Sequence, residues 1–166
     1  ATDVILTTAR TVQLDNPKMN ARLGQEEQAK PVAIIDRQLS LDKESKVFST
    51  AAHCHIYHCS DRETSYPNST LHFMPMNDQA MNLSAIISHL GELGFHDVWV
   101  EAGGALFSAL HQEGLVHRTY LYIAPSILEH NAVSAYQQSG IFNRAHTVSW
   151  HPMGNNVIAC LDWQED

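Results

Sequence analysis

The sequence predicts an α/β domain with a mixed, mostly parallel central sheet, flanking helices and an antiparallel hairpin at the carboxyl end. Two observations support this prediction: short apolar strand segments alternate with helical periodicity, and no internal repeat or low-complexity tract interrupts them. With 166 residues, 44% of them hydrophobic and 17% charged, the chain is long enough for one sizeable core. We therefore expect a single domain over residues 1–166.

Apolar runs bounded by turn residues predict the strands. The residues 152–155, Pro-Met-Gly-Asn, have suitable chemistry for the turn of the closing hairpin, and the polar residues 60–69 predict a loop. The predicted strands are Val4–Thr7, Pro31–Asp36, Val47–Thr50, His53–Cys59, Leu71–Met74, Asp97–Ala102, Thr119–Ala124, Thr147–His151 and Asn156–Trp163.

Two helices are predicted from the spacing of their apolar residues. In the first helix, Asn82 caps the start, Gly94 ends it, and one face carries Leu83, Ile86, Ile87 and Leu90. The second has a shorter apolar face, Leu106, Ala109 and Leu110, with Gly114 just past its end. Between them, Val98-Trp99-Val100 is typical of a strand buried between two layers. Strand, helix, strand and helix in this order predict parallel pairing.

The charge and cysteine content exclude some classes of partner. A formal net charge of −8 argues against nucleic acid and anionic membrane surfaces, which are usually met by clustered Lys and Arg. Small molecules are the expected ligands.

Three cysteines do not close a disulfide framework and favour a reducing, cytoplasmic location. No apolar run is long enough to span a bilayer, and no secretory signal is visible.

The chain opens on Ala1-Thr2-Asp3, without Met, and enters the apolar run at Val4 directly. A natural domain usually has a lead-in, so we expect the domain to be incomplete at its amino end.

The segment after Trp99-Val100-Glu101 is the strongest candidate for a binding site. Gly103 and Gly104 allow a tight turn from the strand into the following helix, whose first N–H groups are unpaired. Such a helix start favours anions, and glycine permits close approach of a phosphate. The alternative is a Gly-Gly turn that serves tight packing alone.

A polar loop is predicted over Thr11–Arg22, after the first strand. The Asp15-Asn16-Pro17 sequence favours a turn, and Arg22 has the planar, permanently charged guanidinium that suits phosphate. A solvated surface arginine is the alternative for Arg22.

Taken together, these motifs resemble the reductase domain of the bifunctional riboflavin-biosynthesis deaminase/reductase. The resemblance covers most of the chain and is strongest over residues 97–125. It is carried, in order and spacing, by Thr11-Val12, Asp15-Asn16-Pro17, Arg22, Pro31-Val32-Ala33-Ile34-Ile35-Asp36, Trp99-Val100-Glu101-Ala102-Gly103-Gly104 and Leu115 to Pro125.

The resemblance implies a dihydrofolate-reductase-like fold and NADPH-dependent reduction of the ribosyl group of 5-amino-6-(5-phosphoribosylamino)uracil. It also implies a homodimer and a deaminase domain that precedes this one in the gene product. Substrate contacts would fall on Met19, Arg22 and Glu101. Cofactor contacts would fall on Thr11, Asp15, Gly103, Gly104, Ala105, Leu106, Phe107, Ser108 and Ala109. No catalytic side chain is assigned, because the nicotinamide carries the hydride.

Two further interpretations stay open. A truncated or non-catalytic domain of this fold would serve dimerisation or nucleotide binding only, and a related reductase would act on another pterin- or pyrimidine-like substrate.

The His- and Cys-rich strand over residues 53–59 contains ligand types for zinc. Strand alternation sends His53, His55, Tyr57 and Cys59 to one face and Cys54, Ile56 and His58 to the other, so we predict no metal site. Cys160 is expected to pack as a small apolar group, and the tryptophans at 99, 150 and 163 are expected in the core or an interface.

Overall fold

The computed structural model describes residues 2–23, 26–77, 80–126, 134, 136, 140–144 and 146–164, with the side chains of Arg22, Leu23, Glu26 and Asn77 outside the description. The strands are β1 (Val4–Thr8), β2 (Asn20–Leu23), β3 (Glu26–Ala29), β4 (Val32–Ile35), β5 (Cys54–His58), β6 (Ser69–Phe73), β7 (Met76–Asn77), β8 (Ala80–Met81), β9 (Val98–Val100), β10 (Arg118–Ile123), β11 (His146–Met153) and β12 (Asn156–Trp163). The helices are α1 (Ala9–Asp15), α2 (Val47–Thr50), α3 (Leu83–Glu92) and α4 (Gly104–Gln112), with a 3₁₀ turn at Ile141–Asn143.

The backbone divides into two compact units, unit 1 (Ala1–Ala102) and unit 2 (Gly103–Asp166). The expectation of a single domain stays a prediction. None of the helices in the described part of the chain has the length and apolar character needed to cross a membrane.

Unit 1 is built on a parallel sheet with the strand order β6-β5-β4-β1-β9. The chain moves outward from β1 through β4 and β5 to β6, then returns to place β9 on the other side of β1. The strand order therefore reverses between β1 and β9, and ligands of open α/β sheets bind at the carboxyl ends of the strands at such a point.

One face of this sheet is covered by α1 and α2. The shared core contains Ile5, Ile34 and Ile56 from the strands, Val12 from α1 and Phe48 from α2. Helix α3 covers the opposite face, where Ile86 and Leu90 are completely buried. Asn82 caps α3 by accepting a hydrogen bond from the Ala85 N–H, and Gly94 follows it at φ +90°, both as predicted.

Unit 2 contains α4 and a three-stranded antiparallel sheet in the order β10-β12-β11. Its core packs Ile141, Ala159, Leu161 and Trp163 together. The predicted hairpin is confirmed, with β10 as a third strand. Its turn is tighter than predicted, because Pro152 and Met153 still pair with β12 and only Gly154 and Asn155 form the turn.

Two local predictions were wrong. Val47–Thr50 is a helix, not a strand, because Val47, Phe48 and Ala51 at helical spacing pack onto the core. Residues 9–15, of which 11–15 had been assigned to a polar loop, form α1. The described residues also contain two short hairpins that the sequence analysis did not predict, β2–β3 and β7–β8.

The tryptophans differ in burial. Trp163 is 6% exposed and lies in the core of unit 2. Trp150 and Trp99 are 62% and 39% exposed, so neither is a core residue. The prediction that β9 is buried between two layers was wrong, because Trp99 is exposed and Val98 and Val100 are only partly buried. Cys160 is buried with a free thiol, as predicted.

Candidate functional site

The candidate site of unit 1 lies at the carboxyl ends of β1 and β9. It is defined by Thr8, Thr11 and Glu101. The two strands pair in parallel from Val4 with Val98 to Leu6 with Val100. The Glu101 N–H then continues the ladder, donating to the Leu6 carbonyl oxygen at 2.9 Å. The position of the Glu101 backbone beside β1 is therefore fixed by the sheet.

Helix α1 begins directly at the end of β1. The hydroxyl oxygen of Thr8 accepts a hydrogen bond from the Thr11 N–H at 3.3 Å and lies 3.1 Å from the Thr11 hydroxyl. Ala9 and Val12, three residues apart, are buried against the core, so α1 is held at this edge. A Thr cap followed by apolar residues at this spacing is a helix signal that the sequence analysis overlooked.

The other residues predicted in this part of unit 1 lie farther along the chain. Asp15 is the last residue of α1, and it is exposed. Met19 is 7% exposed in the core at φ +50°, so its side chain contributes mainly to packing. Arg22 lies in β2 opposite Glu27, and its side chain is outside the described residues.

Glu101 is exposed, and its carboxylate oxygen Oε1 accepts a hydrogen bond from the Trp99 indole at 3.0 Å. Residues 99 and 101 lie on the same side of an extended backbone, which makes this contact local. The structure therefore brings a carboxylate to the edge at which α1 begins.

Thr7, the residue before the cap, is a polar residue that the sequence analysis did not single out. Its side chain is completely buried, and the hydroxyl has no hydrogen-bond partner within the described ranges. An alternating strand pattern alone does not distinguish such a threonine from a valine.

In unit 2, the predicted cofactor residues form the start of α4. Gly103 is the N-cap at φ −69° and ψ 168°, and no side chain caps the helix. A Cβ at Gly103 would meet nothing within 4 Å, so neither backbone strain nor packing requires glycine at this position. A helix start without a side-chain cap, next to open space, can accept an anion.

The remaining residues of this segment differ in accessibility. Ala105 is exposed, Gly104 and Ala109 are partly exposed, and Leu106 and Ser108 are buried. The Phe107 ring packs against the rings of His111 and Tyr136, at centroid distances of 4.6 and 5.0 Å. Among the predicted cofactor residues 103–109, the exposed ones, Gly103 and Ala105, therefore lie at the start of α4.

His111 is the most deeply buried titratable group that the sequence analysis overlooked. The Trp163 indole donates to the Thr119 hydroxyl at 2.9 Å, and that hydroxyl lies 3.1 Å from His111 Nε2. Burial, and after it the charge of Arg144, lowers the pKa of His111 to about 4.

The histidine cluster, His53, His55, His72 and His89, lies on the face of the unit 1 sheet that α3 covers. His55 Nδ1 is 3.1 Å from His72 Nε2, and the rings of His72 and His89 are 4.7 Å apart. The Tyr57 hydroxyl lies 3.0 Å from His89 Nδ1. Burial, and then the charges of the neighbouring histidines, lowers the pKa of His72 to about 4. The same two causes lower the pKa of His55.

The predicted alternation along β5 is confirmed for the described contacts. Cys54 and Ile56 lie in the core, whereas His53, His55 and Tyr57 contact other aromatic rings on the α3 face. Within the ranges that the structure describes, no three His, Cys, Asp or Glu side chains are grouped so as to hold a metal ion.

Solved structures with the same fold are available for comparison. A deaminase/5-amino-6-(5-phosphoribosylamino)uracil reductase of Thermotoga maritima matches 98% of this chain and 46% of its own, with TM-score 0.80 and 19% identity. The riboflavin biosynthesis reductase Rib7 of Saccharomyces cerevisiae matches 98% of this chain and 76% of its own, with TM-score 0.79 and 21% identity. The fold is therefore that of the dihydrofolate-reductase-like reductase domains, as the sequence predicted.

The sequence comparison is more specific. The family model of the RibD C-terminal domain matches residues 1–159, and the chain belongs to this family. It is 26% identical over 142 residues to a 5-amino-6-(5-phosphoribosylamino)uracil reductase of Buchnera aphidicola, covering 69% of that protein. It is 28% identical over 141 residues to the riboflavin biosynthesis protein RibD of Escherichia coli, of which it spans only 38%.

Proposed function

We propose that this chain reduces the ribosyl group of 5-amino-6-(5-phosphoribosylamino)uracil to the ribityl group with NADPH, as a reductase of riboflavin biosynthesis. The single observation that carries the proposal is the position of Glu101 and of the Thr8–Thr11 turn at the carboxyl ends of two paired parallel strands, where the strand order reverses. Membership of the RibD C-terminal domain family supports the choice of substrate.

The start of α4 is the proposed phosphate site for NADPH. Gly103 has room for a close approach, and its helix has no side-chain cap, so the backbone N–H groups of Gly104 and Ala105 are suited to bind a phosphate. Thr11 and Asp15 are the proposed cofactor residues of unit 1. When bound, the nicotinamide supplies the hydride.

The proposed substrate residues supply recognition. The Arg22 guanidinium would bind the 5-phosphate of the ribosyl group, because its planar set of donors matches phosphate oxygens. The Glu101 carboxylate would accept hydrogen bonds from sugar hydroxyls or pyrimidine N–H groups. Met19, with its side chain in the core, would position the turn that leads to Arg22.

The reaction balances without a protein nucleophile or a metal. A hydride is added to C1′ of the ribosyl group, the bond from C1′ to the ring oxygen breaks, and one proton goes to that oxygen. The products are the ribityl compound and NADP⁺. The task of the protein is to hold the reacting carbons together in a shielded site.

Three further features belong to the proposal. We expect a deaminase domain in the same gene product, a homodimer, and a cytoplasmic location. The three free cysteines agree with a reducing compartment. Size measurement of the purified protein tests the dimer.

Thermal unfolding with added nucleotide tests the proposal first. NADPH should raise the melting temperature, increasingly with its concentration and more than NADH does. The purified protein should then consume NADPH when 5-amino-6-(5-phosphoribosylamino)uracil is supplied. A folded protein that neither responds to NADPH nor turns over this substrate would support the non-catalytic alternative.

The Gly103→Ala variant tests the phosphate site. Because φ at residue 103 is negative and the Cβ meets no atom, the fold should lose at most about 1 kcal/mol, from the weaker N-cap. The added methyl group would block the approach of the phosphate, so we expect the Kd for NADPH to rise by roughly tenfold, about 1.4 kcal/mol.

Gly91→Ala is the matched control, because a Cβ at Gly91 in α3 also meets nothing within 4 Å. It should stabilise the fold by about 0.5–1 kcal/mol and leave the Kd unchanged. Equal nucleotide affinity in the two variants would exclude Gly103 from the cofactor site.

A further inference from the structure

Trp99 is an exposed tryptophan whose indole N–H makes a hydrogen bond to a side chain of the candidate site. It is 39% exposed on the edge strand β9, and its indole N–H donates to Glu101 Oε1 at 3.0 Å. Packing alone does not account for this choice of residue, because a phenylalanine would supply a similar apolar ring without the donor.

The backbone of both residues is tied to β1. Trp99 is in register with Ile5, and the Glu101 N–H donates to the Leu6 carbonyl oxygen. The indole therefore projects from a fixed strand. A free glutamate side chain would occupy several rotamers at this exposed position, and a hydrogen bond from a fixed donor to its charged group reduces that freedom.

The hydrogen bond uses one of the two carboxylate oxygens. A carboxylate has acceptor sites on both oxygens, so Oε2 can bind a hydroxyl or an N–H group while Oε1 is held by the indole.

We propose that Trp99 is a positioning residue, whose indole N–H orients the Glu101 carboxylate to accept hydrogen bonds from the hydroxyl or N–H groups of the phosphoribosylaminopyrimidine substrate. This inference rests on the proposed function. Trp99 acts through Glu101 and contacts neither the substrate nor the nucleotide.

The Trp99→Phe variant tests this role, because it keeps an aromatic ring at the position and removes only the donor. We expect kcat/KM for 5-amino-6-(5-phosphoribosylamino)uracil to fall about fivefold to tenfold, the equivalent of one ordinary hydrogen bond, because both groups are exposed to water. The Kd for NADPH should stay unchanged. In a Glu101→Ala background, Trp99→Phe should cause no further loss, because its target is absent.

Trp150→Phe is the matched control, since Trp150 is also exposed on a strand and lies in the other unit. It should leave kcat/KM unchanged. Melting temperatures of all variants separate a loss of activity from a loss of folding.

The outcomes separate the two proposals. If the wild-type protein turns over the substrate and Trp99→Phe behaves like Trp150→Phe, the positioning role is overturned and the proposed function stands. A loss of similar size in the Glu101→Ala background would also overturn it, since Trp99 would then act independently. If the wild-type protein shows no turnover and no NADPH binding, the proposed function fails, and the positioning role with it.

Discussion

In unit 1, His53, His55 and His72 on one face of the parallel sheet meet His89 from α3, whereas in unit 2 His111 is buried among the rings of Phe107, Tyr136 and Trp163. Within the histidine cluster, His55 Nδ1 and His72 Nε2 share a hydrogen bond. In unit 2, Nδ1 of His111 has no hydrogen-bond partner among the described residues.

Both environments lower the pKa of a histidine, but the charges that contribute to the shift are different. Burial is the first cause at His72 and at His111, and each pKa falls to about 4. The second cause at His72 is the charge of neighbouring histidines, His89 first among them, whereas at His111 it is the permanent charge of Arg144. The lowered pKa therefore depends on other histidines at His72 and on an arginine at His111.

The largest expected effect is the loss of stability on acidification through His111. In the unfolded chain this histidine binds a proton below pH 6.5, but in the folded chain only near pH 4. The free energy of unfolding should therefore fall by up to roughly 3 kcal/mol as the pH is lowered from 6.5 to about 4. Above pH 6.5 this group causes no loss, because it is neutral in both states. Denaturant unfolding at a series of pH values measures the slope.

His111→Gln keeps a hydrogen-bond partner for the Thr119 hydroxyl but does not titrate, so it should flatten that slope. His151→Gln, at an exposed position of β11, is the control and should leave it unchanged. Parallel slopes for wild type and His111→Gln would show that His111 does not titrate as its burial implies.

The next effect compares one buried threonine from each unit. The Thr119 hydroxyl bonds to both Trp163 and His111, so Thr119→Val should lower the free energy of unfolding by about 2 kcal/mol. The Thr7 hydroxyl has no partner within the described chain, so Thr7→Val should be neutral or stabilising by up to about 1 kcal/mol. Urea unfolding at pH 7 gives both values. An equal loss in the two variants would indicate that Thr7 makes a hydrogen bond in solution.

The smallest effect is within the histidine cluster. The charge of His89 lowers the pKa of His55 and of His72, so His89→Gln should raise both. Titration of the imidazole resonances by NMR measures the shift, and His151→Gln again serves as the control. If neither pKa moves, the charge of His89 does not contribute to the lowered pKa of these histidines.

The sequence predicted the parts of the fold in which neighbouring residues carry the signal. Asn82 caps the start of α3 and Gly94 follows its end, as their chemistry predicts. The alternation along β5 places Ile56 and Tyr57 on opposite faces of the sheet. The Gly103-Gly104 turn was identified because a strand, two glycines and a helical pattern are all local features.

The site was predicted less completely. Glu101 follows β9 as expected, and Thr11 lies on α1 beside the end of β1. The cap at Thr8 was missed because only Ala9 and Val12 of α1 are buried, and the residues between and after them are mostly polar. The contact between Trp99 and Glu101 could not be predicted, because it depends on Trp99 being exposed at a sheet edge.

By itself, the sequence determined the alternation of strands and helices, the turn glycines and the residue types at the candidate site, because these follow from local backbone preference and from apolar periodicity. The tertiary structure alone decided that Val47–Thr50 is a helix, that β9 is an edge strand of the described sheet and that the pKa values of His72 and His111 are lowered. The physical reason is that strand order, burial and the distance between charged groups depend on segments far apart in the chain, whose pairing no local pattern specifies.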